Sequence, residues 1–152
     1  NEVWPEVLRQ VPQARLTLIG KNPPESLRLL GQHPNVEVTG YVEDLTPYLA
    51  ETAVFIVPLH SAGGMRVKIV DAWCWGLPIV STTIGAEGIE TRDGENIRVA
   101  DSPADFSQAV VELLRAPAAG DRLRANGRQW VEERYDWERV YPAWDAVYGP
   151  HA

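Results

Sequence analysis

Five short apolar runs, each separated from the next by a helical stretch, constrain this chain more than any other feature. They are residues 14–20 (ARLTLIG), 35–40 (NVEVTG), 53–59 (AVFIVPL), 77–82 (LPIVST) and 96–100 (NIRVA). Near-continuous apolar runs of this length predict strands covered on both faces, as in parallel sheets. Between them the sequence predicts helices over about 25–31, 44–50, 65–76 and 103–115. Asp101-Ser102-Pro103 gives the last of these a capping side chain and a proline in its first turn. The alternation implies βαβ units with right-handed crossovers, hence an α/β, Rossmann-like three-layer domain with a mostly parallel sheet. From Gly120 onward the pattern is helical only, so residues 120–149 are expected to form C-terminal helices of a single domain spanning 1–152. Val3, Val7, Leu8 and Val11 share one helical face at the start. A βαβ domain seldom opens on a helix, so a preceding strand, and a chain that is a fragment, are expected.

The chemistry concentrates where the third run gives way to a helix. Gly63 and Gly64 lead into a segment carrying Arg66, Lys68 and Asp71. Open α/β sheets bind ligands at the carboxyl ends of their strands. Glycines there let a ligand approach the backbone, and a helix start offers unpaired N–H groups to an anion. Arg66 falls in the expected first turn, where a cation is unfavourable for the helix itself, and a bound phosphate would offset that. Gly64, Lys68, Asp71 and Trp75 fall on one helical face, so Asp71 could accept ribose hydroxyls while the helix start holds phosphates. The same residues also fit a solvated glycine loop with a Lys68–Asp71 pair at i,i+3 spacing. No P-loop and no G-x-G-x-x-G follows any strand, which argues against ATPase and dinucleotide readings.

Composition narrows the classes further. A net charge of −7 argues against a surface that neutralises nucleic-acid phosphates. Cys74 is the only cysteine, and His33, His60 and His151 have no ligand spacing, so neither metal nor cofactor is expected. No apolar run approaches the length of a membrane span and no leader stands out, which predicts a soluble protein of the cytoplasm.

At this point the chain resembles the C-terminal, donor-binding domain of the GT-B glycosyltransferases, in the large retaining group called family 4. The resemblance rests on GYVEDL (40–45), VFIVPL (54–59), GGMRVKIVDAWCWGLPIVST (63–82), GAEGI (85–89) and DGENIRVAD (93–101). The family pattern E-G-F-G-x-x-x-x-E-A-M-A-x-G-x-P-V-V puts its ribose-binding second acid on Asp71 and its diphosphate-binding loop and helix start on Gly64, Met65 and Arg66. Its first acid, which contacts the donor sugar, falls on Gly63. A branch reading G-G-x-R-x-K-x-x-E-A carries the same Arg66 and Lys68.

The resemblance implies a nucleotide-diphosphate sugar as partner and an N-terminal acceptor domain in the full enzyme. Membrane association would arise only through that longer protein. Transfer would proceed without a metal, Arg66 and Lys68 stabilising charge on the departing diphosphate; this chain alone would be inactive. The family's sheet order, 3-2-1-4-5-6, implies that a central strand is missing between runs 14–20 and 53–59. Their open edges are expected to close on each other or to be filled by another segment.

Other residues carry smaller expectations. The loop at Tyr41 and Val42 is implied beside the nucleotide base, through its backbone. Glu87 lies near the same sheet end and could replace the acid missing at Gly63, although an exposed turn glutamate is the plainer reading. His60 is expected in solvent, and Cys74 as a small buried hydrophobe. Trp130, Trp137, Tyr141, Trp144 and Tyr148 recur at threes, fours and sevens, which predicts packing on the sheet or a partner domain, with a break at Pro142. Two rival functions stay open: a non-catalytic nucleotide-binding or regulatory module of the same fold, and a structural or assembly domain.

Overall fold

A computed structural model of the chain describes residues 2–61 and 63–136, with positions 138, 142 and 149. The order is α1 (Val3–Gln10), β1 (Leu16–Ile19), α2 (Glu25–Leu30), β2 (Val36–Gly40), α3 (Thr46–Ala50), β3 (Phe55–Val57), α4 (Val67–Cys74), β4 (Ile79–Ser81), a 3-10 turn (Ile84–Ala86), β5 (Arg98–Val99), α5 (Pro103–Arg115) and α6 (Pro117–Arg134). Every strand pair is parallel. The α/β, Rossmann-like architecture is as the sequence predicts.

The strands form two sheets, β1–β2 and β3–β4–β5. In the larger one, successive side chains serve opposite layers, as the two-residue pleat requires. Ile56, Val80 and Ala100 turn to one face, against Val7 of α1 and Phe106 and Val110 of α5. Phe55, Val57, Ile79 and Val99 turn to the other, against Ile69 and Trp73 of α4 and Val131 of α6. Three layers therefore meet on β3–β4–β5. The smaller sheet departs from expectation: along β1, half-buried Leu16 and Leu18 alternate with exposed Thr17 and Ile19. Runs 14–20 and 35–40 are thus not covered on both faces.

The expected closure between β1 and β3 does not form, since β1 pairs with β2 and β3 with β4. An open edge is costly where its backbone is both buried and unpaired. No residue of β1 is buried, and in β3 Phe55 and Ile56 are half-buried while Val57 is buried. The backbone cost falls only on edge groups that water does not reach.

Local chemistry explains several boundaries. Ser102 caps α5 by accepting the Asp105 N–H at 3.1 Å, and Pro103 opens the helix as predicted. The helix expected over 65–76 is shorter at both ends. Gly64 has φ +80 and Arg66 sits at φ −90, ψ 68, so helical backbone begins only at Val67. Gly76, at φ +66, closes the other end. Cys74 is exposed, against expectation. Ile69, Ala72 and Trp73 make the inner face of α4, and one step of about 100° beyond Trp73 turns Cys74 outward. Trp130 packs against the core cluster shared by α4, α6 and one face of the sheet, with the Arg134 and Arg92 guanidinium carbons 3.8 and 4.8 Å from its ring centre. Trp137, Tyr141, Trp144 and Tyr148, and the break expected at Pro142, fall outside the continuously described residues.

Candidate functional site

The loop after β3 delivers Gly63, Gly64 and Met65 to the start of α4, all three exposed. Nothing lies within 4 Å of a side chain built on either glycine, so their outer faces are open to a ligand. Gly64 also needs its left-handed backbone, a position where any other residue is strained.

Arg66 is not in the first turn of the helix. It is the N-cap residue, 5% exposed, and its side chain folds back under the loop. Nη1 donates to the Gly63 carbonyl at 2.9 Å and to the Gly64 carbonyl. Nε and Nη2 are buried without a partner among the described residues. A charged guanidinium with two unsatisfied nitrogens, three N–H groups, is costly in a dry environment. An anion accepting from both would remove that cost once the atoms covering them move aside.

Lys68 and Asp71 are exposed on α4. Among the described residues they make no ion pair with each other or with any other group. The i,i+3 pair of the plainer reading is therefore absent there. Because α4 starts at Val67, Asp71 lies about 6 Å, one turn, further along the axis. Trp75, also exposed, follows α4 as its C-cap.

Glu87 is exposed in the loop after the 3-10 turn. Its neighbour Gly88, at φ +80, presses on the glycine loop: a side-chain carbon there would stand 3.2 Å from Met65 Cα. The loops after β3 and β4 thus meet at the α4 start, as expected for Glu87. Tyr41, 72% exposed, and half-buried Val42 follow β2. Among the described residues no hydrogen bond ties them to the glycine loop. His60 is exposed.

Residues that the sequence reading passed over complete the rim. Asp101, after β5, accepts the Thr83 N–H and the Thr83 hydroxyl, both at 2.7 Å, and so ties the ends of β4 and β5 together. These two bonds, with a smaller contribution from His60, hold the Asp101 carboxyl below its ordinary range. Thr82, 2% exposed, and Ser81, fully buried, sit at the end of β4. A Ser-Thr pair ending a buried apolar strand was the available signal, since buried hydroxyls need partners. A surface cleft lies elsewhere, lined by Arg98, Asp101, Asp105 and Gln108 beside the α5 start. It contains no residue of the glycine loop, and the orphaned Arg66 donors point to the α4 start instead. Among the described residues no three His, Cys, Asp or Glu side chains gather as metal ligands.

A family model described as glycosyl transferases group 1 matches residues 1–116 of the 152. Among curated proteins, the chain is 27% identical over 149 residues to a 44.6 kDa protein of the cps region of Klebsiella pneumoniae, covering 93% of this chain and 38% of that protein. It is 29% identical over 149 residues to a GDP-mannose-dependent monoacylated alpha-(1-6)-phosphatidylinositol monomannoside mannosyltransferase of Corynebacterium glutamicum, covering 90% and 39%. The chain thus spans about two fifths of the length of these relatives. The C-terminal domain of a glycosyl transferase group 1 protein, LpcC of Francisella tularensis, superposes with a TM-score of 0.73 at 16% identity, over 89% of this chain and 78% of that one. HepE of Anabaena, solved in complex with UDP and glucose, superposes at 0.78 with 13% identity, over 99% and 45%. The chain belongs to the group 1 glycosyltransferases, and its fold is that of their C-terminal GT-B domain.

Proposed function

We propose that this chain is the donor half of a retaining glycosyltransferase, binding a nucleotide-diphosphate sugar at the start of α4. The observation that carries the reading is Arg66, buried under an open glycine loop with Nε and Nη2 unpaired among the described residues. The donor's phosphate oxygens accept from these groups and from the N–H groups that open α4, which have no partner within the helix. Lys68 adds a second, mobile cation on the exposed side. Asp71, one turn on, accepts the ribose hydroxyls. As the glycosidic bond breaks, negative charge grows on the departing diphosphate, and fixed cations stabilise that charge more than the ground state. The chemistry requires no metal and no catalytic carboxylate pair of the glycosidase kind.

Gly63, Gly64 and Met65 contact the diphosphate, the Tyr41–Val42 backbone faces the base, and Glu87 is the acid nearest the transferred sugar. The acceptor is held by an N-terminal domain, so this chain alone does not turn over. The full protein works in the cytoplasm, making a glycolipid or polysaccharide. That class is suggested by the mannosyltransferase named above, which acts on a phosphatidylinositol mannoside.

The reading as a structural or assembly domain has one observation in its favour: Nη1 already staples the loop through two carbonyls. A thermal-shift and calorimetry panel of UDP-, GDP-, ADP- and TDP-sugars separates the two. Saturable binding of one nucleotide, retained by its diphosphate without the sugar, is the expected result. Absence of binding across the panel would leave the loop a structural staple.

A further inference from the structure

Thr82 follows β4 with its side chain out of solvent. Its hydroxyl makes two bonds in opposite directions. It donates to the Leu59 carbonyl and accepts the Gly85 N–H at 2.9 Å. Leu59 lies on the loop that leaves β3 for His60 and the glycines. Gly85 is the middle residue of the turn that leads to Glu87 and sets Gly88 against Met65. One hydroxyl therefore spans both loops that meet at the α4 start.

The neighbouring contacts leave little slack. The Thr82 N–H donates to the Val57 carbonyl at 3.3 Å, and the Ala86 N–H donates to the Thr82 carbonyl at 3.0 Å. The Ser81 hydroxyl donates toward the Val57 and Thr82 carbonyls at 3.3 and 2.9 Å. At Gly85 a side-chain carbon would stand 2.5 Å from Ser81 Oγ and from the Val57 carbonyl, so the turn can be seated only by glycine. The turn is pressed onto the strand ends, and the Thr82 hydroxyl passes that seating on to the loop of Leu59.

We infer that Thr82 is a positioning residue of the phosphate site, its hydroxyl holding the two loops at one spacing and so setting where Gly63, Gly64 and Met65 meet a donor. The inference rests on the reading of the α4 start as a donor site; the coupling between the loops does not. The role needs a group that donates and accepts at once. Serine keeps both functions, and valine keeps the volume while losing both.

The test uses Thr82→Val, Thr82→Ser and, as a control in the opposite core, Leu113→Ala of α5. Three quantities are read: amide hydrogen exchange at Gly85, backbone amide shifts of Gly63 and Gly64, and calorimetric affinity for the nucleoside diphosphate that the wild type binds best. Thr82→Val is expected to speed exchange at Gly85 by about tenfold, to move the Gly63 and Gly64 signals, and to weaken the diphosphate by about tenfold. Thr82→Ser restores all three. Leu113→Ala lowers the melting temperature and moves none of them. If Thr82→Val alters Gly85, Gly63 and Gly64 no more than Leu113→Ala does, or if serine fails to restore them, the inference is overturned whatever the nucleotide does. If the loops respond but no nucleoside diphosphate binds the wild type, the coupling is upheld and the donor-site reading fails. Should Thr82→Val not fold, Thr82→Cys, a weaker donor and acceptor, takes its place with the same expectations.

Discussion

Two glycines of α6 predict opposite responses to the same substitution. Gly127 lies against Trp73, which is fully buried and donates its indole N–H to the Asn96 carbonyl at 2.9 Å. A side-chain carbon at Gly127 would stand 2.3 Å from Trp73 Cδ1 and 2.7 Å from Nε1. The indole is rigid and has no room to yield, so α6 or Trp73 must shift. Overpacking of this kind costs about 1–3 kcal/mol, and a displaced indole forfeits a bond worth about 1 kcal/mol. Alanine in a helix interior recovers about 1 kcal/mol over glycine. Gly127→Ala should therefore destabilise by about 1–3 kcal/mol, a fall in melting temperature of roughly 3–10 °C for a domain of this size.

Gly120, seven residues earlier, meets only Pro78 carbons at 3.6 and 3.8 Å, an ordinary contact. Gly120→Ala should keep most of the helical gain and raise the melting temperature by about 2–4 °C. Urea titration and thermal melts followed by circular dichroism read both. Equal shifts of the same sign would refute the seating of α6 on Trp73.

Three further outcomes follow from named groups. Asp101, held below its ordinary range first by the Thr83 hydroxyl and next by the Thr83 N–H, contributes stability at pH values above about 3.9. That contribution is lost as pH falls through the depressed value. Thr83→Val should raise the Asp101 titration seen by carboxyl-carbon NMR, and an unmoved curve would remove the hydroxyl as its cause. Asp71→Asn should weaken a nucleoside diphosphate much more than inorganic diphosphate, because only the former carries ribose hydroxyls; equal losses would take the ribose away from Asp71. Lys68→Ala, at an exposed position without an ion pair among the described residues, should stay within about 0.5 kcal/mol of wild-type stability. It should nevertheless reduce diphosphate affinity, and an unchanged affinity would remove Lys68 from the site.

The parts of this fold that were legible in the sequence are those fixed by local chemistry. Ser102 and Pro103 set the start of α5, and the apolar runs mark all five strands even where pairing trims their ends. Legibility fails where the third dimension decides. The spacing of Arg66 after two glycines suggests a cation facing solvent, but Gly64 turns left-handed and the side chain goes under the loop. Cys74 between two tryptophans suggests burial, yet only Trp73 lies on the inner face. The contacts of Thr82 with Leu59 and of Asp101 with Thr83 join residues 23 and 18 positions apart, which no periodicity reveals. The edges of β1 and β3 mislead as well: pairing rules point to closure, yet the two strands stay in separate sheets of a chain whose residues 1–116 match the family.

The central claim concerns Arg66, and calorimetry of a nucleoside diphosphate against wild type and Arg66→Ala tests it most directly. Charge-assisted bonds are worth about 1.5–3 kcal/mol, so the loss of Nε and Nη2 should weaken binding by about tenfold or more. A melting curve on each sample confirms that the titrated protein is folded. Arg66→Ala binding as tightly as wild type would contradict the claim, leaving the guanidinium as a staple for the Gly63 and Gly64 carbonyls and no clamp for a phosphate.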